Sequence, residues 1–433
     1  MMNKILALGA EGCIVERVRT RSAQVRFLSG NITVAKTWHS DHDSLFIVKE
    51  GRTLSTSVES EDDFKRVKSL VDMCRLIPPN NSFKGLYDKK NRVKNPVDMF
   101  CEPTDLVNMA EEAMAGVADS GAPNCAGVVY YQHVNRELVS SSGPQGVEDY
   151  GGFEVSARAF FNDDETGHAY TGHAQREGVN AKKVGVIAGE NALLARSPGP
   201  GKPGIYDVVL APLFTANILN RIAHFSSAFN IQIGMSPFCD MMGKRVASEN
   251  ISVKDAGIVE GSIGSHAFDQ EGCLTAKTPL IENGVMTGTL HNSSTAKAQE
   301  GVTTGNAGLV VPMPWNTLME PGNHDMENLC QELGNGLLLT NTWYTRFQST
   351  REGVFSTMPR DAIIVIKNGE MAGSLKGMRL MGQFNELLKN VEAVGKEAEQ
   401  VRSWGQSHPS FAPAMLVRNV RLTGLNTDFD VQK

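Results

Sequence analysis

Short glycine turns between apolar runs constrain this chain more than any other feature. Leu280-Ile281-Glu282-Asn283-Gly284-Val285 and Val365-Ile366-Lys367-Asn368-Gly369-Glu370 both set Asn-Gly beside apolar residues. Both turn residues tolerate positive φ, which makes this the strongest short hairpin signal a sequence carries. Near the start, Ser29-Gly30-Asn31 joins residues 24–28 to 32–36, and Glu50-Gly51 joins 45–49 to 52–58. The pattern predicts antiparallel sheet at both ends of the chain.

Helical spacing fills the gaps. Phe64, Val67, Leu70, Val71 and Cys74 mark one face of a helix that Pro78-Pro79 stops. A second helix is expected over 104–118 with Thr104 as its N-cap, a third over 180–196 and a last over 384–398. Strands are expected at 126–134, 137–142, 153–162 and 167–175. A length of 433 residues suggests about three domains. The polar, lysine- and proline-containing stretch 81–103 and the loop Ser197-Pro198-Gly199-Pro200-Gly201-Lys202-Pro203-Gly204 are the breaks. The expected organisation is α+β. Two smaller N-terminal α+β units, 1–95 and 96–204, precede a large C-terminal domain, 205–433, rich in antiparallel β-sheet.

Composition excludes several functions. A net charge of −6 argues against nucleic-acid binding, and the one dense basic run, Asp88 to Lys94, contains no aromatic residue. Seven cysteines stand singly without a C-x-x-C pair, as in a reducing cytoplasm. The apolar stretch Ile5-Leu6-Ala7-Leu8 is too short for a signal peptide, and nothing approaches the roughly 18 apolar residues of a membrane span. A cytoplasmic protein is expected. The acidic turn 162–167 lacks the alternating layout of a calcium loop. Gly201-Lys202 is followed by proline, which removes an N–H that a phosphate loop needs.

No catalytic centre is evident from residue types alone. Pro212 ends the apolar strand 206–210, and Thr215 is placed to cap the helix that follows. There Ile218, Ile222, Phe225 and Phe229 form a core stripe, with Asn220, His224 and Ser227 on the opposite face. The cluster His39, Asp41, His42, Asp43 reads as a polar turn. His168 and His173 point to opposite faces of one strand. His324-Asp325 follows Pro321-Gly322 in another turn. No G-x-S-x-G elbow is present.

Ordered motifs in the last 200 or so residues do carry a resemblance. Phe268-Asp269-Gln270-Glu271-Gly272, Thr304-Gly305-Asn306-Ala307, Pro312-Met313-Pro314-Trp315-Asn316-Thr317-Leu318-Met319-Glu320-Pro321-Gly322, Gly353-Val354-Phe355-Ser356, Lys376-Gly377 and Leu380-Met381-Gly382 resemble the signature of the TldD/TldE (PmbA) metallopeptidase family. The N-terminus departs from it, lacking the length of the family's opening helix. The resemblance implies a cytoplasmic peptidase in which TldD and TldE pair to act on unfolded peptides. It also implies a zinc site on TldD, made by H-E-x-x-x-H on a helix and a cysteine near the C-terminus. Zinc needs imidazole or thiolate donors, and the carboxylate takes the proton of the bound water.

Extended without gaps from Asp207-Val208-Val209-Leu210, the family motif places Asn220, Arg221 and Phe225 at the first histidine, the glutamate and the second histidine. Asn220 is a poor zinc donor, Arg221 is a cation where the base belongs, and Phe225 is core. Residues 400–406 hold no cysteine. The resemblance therefore implies a TldE-like subunit that binds no cofactor, with zinc in a TldD-like partner. A homodimer is the other assembly it allows. Trp343, Tyr344, Arg346 and Arg351 are the expected peptide-binding residues, since aromatics alternating with arginine on a strand suit an extended peptide and its carboxylate. Two other readings stand beside this one. The first is an autonomous metallopeptidase with a relocated site at His224 and His291. The second is a regulatory protein of the gyrase-modulator type.

Overall fold

The computed structural model describes residues 1–59, 64–97, 99, 101–402 and 405–424. A short helix, α1 (Met2–Ala7), precedes β1 (Gly12–Leu28) and β2 (Asn31–Lys49), which Ser29 (φ 50) and Gly30 (φ 76) connect. Two consecutive positive φ angles match the twist of the flanking strands. Glu50-Gly51 repeats the turn into β3 (Arg52–Val58). Helix α2 (Phe64–Met73) follows, with Val67, Val71 and Cys74 buried against Ile5, Leu45, Ile47 and Val58. The Phe64 side chain, expected on the same face, lies outside the described residues.

The strands run further than alternation predicts. β2 pairs with β1 through its whole length, so His39, Asp41, His42 and Asp43 lie inside a strand and not in a turn. Ladder hydrogen bonds satisfy the backbone there, and residues 31–41 stand largely in solvent, so polar side chains incur no burial cost. After β4 (Arg92–Asn95) and α3 (Pro103–Asp119), the two strands expected at 126–142 are one, β5 (Asn124–Ser140). β6 (Gln145–Phe160) and β7 (Thr166–His173) complete a seven-stranded sheet of order β3-β2-β1-β5-β6-β4, with β7 also on β6. β1 and β5 pair from Ile14–Ser140 to Leu28–Ala126, so the boundary expected near residue 95 falls inside one continuous sheet.

Helices α3 and α4 (Ala181–Leu194) cover one face of this sheet, over Ala23, Val25, Phe27, Val129, Phe153 and Val155. The cap of α3 is Glu102, in a reciprocal box with Asp105, and Thr104 lies inside the first turn. The two helices meet backbone to backbone. A Cβ on Gly116 would stand 2.2 Å from the Lys182 carbonyl oxygen, and one on Gly185 2.0 Å from that of Ala113.

The chain then gives β8 (Gly199–Pro200), β9 (Gly204–Leu210), α5 (Pro212–Phe225) and α6 (Ala228–Gln232). β10 (Val253–Ala256), β11 (Lys277–Glu282), β12 (Val285–Met286), α7 (Ser293–Ala298), β13 (Thr317–Met319) and α8 (Met326–Leu333) follow. The last segment holds β14 (Gly336–Ser349), β15 (Val354–Lys367), β16 (Glu370–Lys376), β17 (Met378–Gln383) and α9 (Phe384–Lys389). It ends with β18 (Val391–Val394), β19 (Glu399–Val401), β20 (Ser410–Ala412) and β21 (Met415–Gly424). Both Asn-Gly pairs close hairpins with positive φ, 47 and 78 at Asn283-Gly284, 53 and 82 at Asn368-Gly369. The helix expected over 384–398 stops at Lys389, because Val391 to Val394 pair with β21 instead.

Strands β14, β9, β21, β17 and β15 close into a ring through the β14–β15 pairing, with β16 and β8 extending it. A second sheet runs β12-β11-β10-β13-β20-β19. Helix α5 lies between ring and sheet, touching β14 on one side and β13 and β20 on the other. Its core joins Val208, Leu339, Phe355 and Leu380 of the ring to Leu280, Met319 and Ala412 of the second sheet. Pro212 is the first helical residue after Ala211, so Thr215 lies within the helix and does not cap it. Among the described residues no helix is long and apolar enough to cross a membrane.

A buried charge cluster fastens the N-terminal sheet to this part. Arg136 stands 3.1 Å from Glu148 and 3.4 Å from Glu16, with its guanidinium 4.3 Å above the Phe268 ring. Glu148 accepts from the Ala267 N–H at 2.6 Å and faces His266 Nδ1 at 2.9 Å. Burial pushes the Glu148 carboxyl up, but Arg136 and His266 together hold it below its ordinary value.

Candidate functional site

The second sheet changes the character of helix α5. Leu213, Phe214, Ala216, Ile218, Leu219, Ile222, Ala223 and Phe225 are buried, and so is Asn220 on the face expected to be free. Asn220 is 7% exposed and donates through Nδ2 to His408 Nδ1 at 3.2 Å. An accepting Nδ1 leaves the ring proton on Nε2, which faces Thr317 Oγ1 at 2.8 Å. Burial, and then the nearby His224, push His408 down to about 3. Burial and the Arg221 charge likewise lower His224, whose side chain reaches the surface.

Arg221 is partly buried, and its Nε finds no hydrogen-bond partner among the described residues. Burial and then Arg346 hold its pKa below the usual arginine value. Phe225 sits in an aromatic cluster, 4.9 Å from Phe347 and 5.5 Å from Phe384. This donor set does not fit zinc. It offers two imidazoles, an amide NH2 aimed at one of them, a guanidinium and a phenyl ring, with no thiolate or carboxylate. His291, the other expected ligand of a relocated site, bonds to Thr289 (2.8 Å) and Thr295 (3.2 Å). Among the described residues no group of three or more His, Cys, Asp or Glu is placed to hold a metal. His408 was the partner that sequence reasoning missed. Its one signal is its position in Ser407-His408-Pro409, directly after residues 400–406, where the family cysteine would fall.

A cleft opens elsewhere, between the uncovered face of the N-terminal sheet and β14. It encloses about 510 Å³ and is lined by Tyr130, Glu154, Arg158, His168, Trp343 and Arg402 among others. Glu154 binds Arg402 and accepts from Tyr170 at 2.5 Å. Arg158 pairs with Asp361 at 3.0 Å, and the buried Asp361 also accepts from Thr166 (3.0 Å) and Asn341 (2.8 Å). Asn341 uses its Oδ1 for the Thr342 N–H, so its Nδ2 also donates to His168 Nδ1 at 3.1 Å. His168 then carries its proton on Nε2 and gives it to Ser156 at 2.8 Å. Ser156 therefore has a donor beside it and no base, and it is not an activated nucleophile. Burial pushes His168 down to about 4.

The four expected peptide-binding residues separate into two places. Trp343 lines the cleft, and Tyr344 (φ 54) stacks on it at 5.1 Å with 22° between the planes. A register shift between Trp343 and Arg346 breaks the alternation, which is why neighbouring aromatics share a side. Arg346 is exposed, 5.9 Å from the Tyr344 ring. Arg351 lies in the turn after β14 and pairs with Asp240 at 3.4 Å, away from the cleft lining. A larger cavity of about 770 Å³ lies beside Pro212, Leu213, Met326, Met371, Glu399 and Phe411, apolar with an acidic rim.

The motif residues of the C-terminal half hold loops together. Asp269 accepts from the Glu271, Cys273 and Ala307 N–H groups at 2.9 Å each. Asp255 accepts from Asn306 (2.7 Å) and from the Trp315 (2.8 Å) and Asn316 (3.2 Å) N–H groups. Burial raises both carboxyls to about 7, helped at Asp269 by Glu271. Asp269, Asn306, Trp315 and Asn316 of the signature are thus engaged in holding loops together.

A closed ring and a second sheet clamp one buried helix, with a cleft against an N-terminal sheet. Residues 203–424 match the PmbA/TldA metallopeptidase C-terminal domain, and the chain belongs to the TldD/PmbA family. A metalloprotease of Methanocaldococcus jannaschii is 31% identical over 226 residues, 51% of this chain and 50% of that protein. The chain spans about half the length of such curated relatives. The solved structure of TldE from Thermococcus kodakarensis superposes with a TM-score of 0.82 at 18% identity, covering 98% of this chain and 99% of that one. A proposed modulator of a DNA gyrase from Thermotoga maritima gives 0.83 at 21%, covering 97% and 99%. At these identities the two structures share the fold with this chain.

Proposed function

We propose that this chain is the TldE-like subunit of a cytoplasmic zinc peptidase, completing the substrate path while a TldD-like partner supplies zinc and hydrolysis. The observation that carries the reading is the fate of the three motif positions. Asn220 is engaged with His408, Arg221 brings a positive charge, and Phe225 is locked among aromatic rings. A metal-bound water would find no carboxylate there to take its proton. The cleft beside β14 supports a role in holding peptide, since an exposed edge with aromatic and guanidinium groups suits an extended chain.

Co-expression with a TldD-like chain tests the reading. The two should purify together, with zinc in stoichiometric amount on the TldD-like subunit and peptide hydrolysis only by the pair. Zinc bound stoichiometrically by this chain alone, with peptide cleavage, would overturn it.

A further inference from the structure

The cleft beside β14 has a charge imbalance that the peptide-path reading does not explain. Glu154, Arg158 and Arg402 line the cleft, and Arg360 and Asp361 of β15 stand beside it, against Trp343 and Arg158, which makes three guanidiniums to two carboxylates. Arg402 is taken by Glu154, and Asp361 is saturated by Arg158, Thr166 and Asn341. Arg360 makes no ion pair among the described residues. It is exposed and lies 3.9 Å over the Trp343 ring, which itself lines the cleft. Arg158, 25% exposed, points two nitrogens at Asp361 and makes no hydrogen bond through Nη1 among the described residues. Burial and then the Arg158 charge hold Arg360 below the usual arginine value, against the opposing pull of Asp361 and Tyr344.

We propose that Arg158 and Arg360 form a carboxylate-binding site at the edge of this cleft, which takes a carboxylate of an extended peptide held along β14. One positive charge is left over once Arg402–Glu154 and Arg158–Asp361 are paired. A carboxylate neutralises it, and a phosphate dianion exceeds it. Guanidinium donors match the two carboxylate oxygens in one plane. His168 is neutral and spent on Ser156, so it adds no charge. The backbone beside the site is available: Leu337 to Leu339 pair with β9, whereas among the described residues Asn341 to Ser349 pair only with β15. A peptide strand could add there, with its end or an acidic side chain reaching Arg360. The proposal rests on the peptide-path reading for the chain the carboxylate belongs to.

Calorimetric titration of the full chain separates the two. The probes are one short unstructured peptide as its C-terminal acid, as its amide, and as the amide with one internal glutamate. N-acetyltryptophan and its amide serve as small probes. The acid should bind roughly tenfold tighter than the amide, the size of a charge-assisted hydrogen bond. Arg360→Met should remove that preference and Arg360→Lys should keep part of it. Arg360 is exposed, so neither change threatens folding. Tight binding of the glutamate amide assigns the carboxylate to a side chain, and its absence assigns it to the terminus. Equal affinity for the acid, the amide and the glutamate amide, or a carboxylate preference that survives Arg360→Met, overturns the site. So does inorganic phosphate or single-stranded DNA displacing the peptide at lower concentration than the acid. If no peptide binds at all, the peptide path fails, and N-acetyltryptophan against its amide decides the clamp by the same preference.

Discussion

Asn220 Nδ2 stands 3.2 Å from His408 Nδ1, joining helix α5 to the segment before β20. The residues are 188 positions apart. Asn220 is the position to which a gap-free extension of the family motif assigns its first ligand, and in the structure its partner is a neutral histidine. With Thr317 on the other ring nitrogen, His408 is fully bonded within a packed seam.

That seam makes stability fall with acid. His408 has a folded pKa of about 3, below the ordinary 6.5, so below about pH 6.5 the unfolded chain binds a proton that the folded one refuses. Stability is complete above that pH and is lost progressively toward pH 3, about 2 kcal/mol of it by pH 5. His168, at about 4, acts in the same sense. Asp255 and Asp269 oppose it, since a carboxyl raised to about 7 gains stability as pH falls through that value. The check is therefore a difference: denaturation midpoints at pH 8 and pH 5 for wild type and His408→Asn. The variant should show the smaller acid loss, and an identical loss would refute the assignment.

Rebuilding the motif should cost stability at one position above the others. Phe225→His places an imidazole among Phe347, Phe384 and Phe238 and is expected to destabilise by about 3 kcal/mol or more. Asn220→His, which exchanges one polar side chain for another beside His408, should be milder. Urea midpoints of the two single variants give the order. A larger loss at Asn220 would place the aromatic cluster outside the core.

Close helix packing predicts intolerance at Gly185. A Cβ there meets the Ala113 carbonyl oxygen at 2.0 Å, so α3 and α4 must separate over the N-terminal sheet. Gly185→Ala should destabilise by about 2 kcal/mol, even though alanine is the better helix former by about 1 kcal/mol. Thermal denaturation followed by circular dichroism measures the sign. A gain in midpoint would mean that the helices have room.

Removal of Arg136 leaves Glu148 and Glu16 buried without their cation. Arg136→Met should destabilise by about 3–5 kcal/mol, and adding Glu148→Gln should recover part of that. Hydrogen exchange at Ala267 and Phe268 reports whether the two parts of the protein loosen together. Additive losses in the double variant would argue against a coupled pair.

What the sequence by itself determined was local. The hairpin turns at Ser29-Gly30, Glu50-Gly51, Asn283-Gly284 and Asn368-Gly369 are legible because φ preference belongs to the turn residues themselves. The helix expected over 180–196, found as α4, and the core stripe Ile218, Ile222, Phe225 are legible because helical periodicity is local as well. So is the family signature, a set of short ordered motifs. Only the tertiary structure decided the rest. One sheet in place of two comes from β1 pairing with β5, roughly a hundred residues further along the chain. The helix over 384–398 is cut short because β21 offers Val391 to Val394 a ladder. Asn220, on the second face of α5, is buried because another sheet covers it. His408 meets Asn220, and Arg360 has no paired carboxylate among the described residues, through contacts between segments that share no local pattern. Backbone preference acts over a few residues, whereas burial and ladder pairing depend on which distant surface arrives, and the site is made of the second kind of contact.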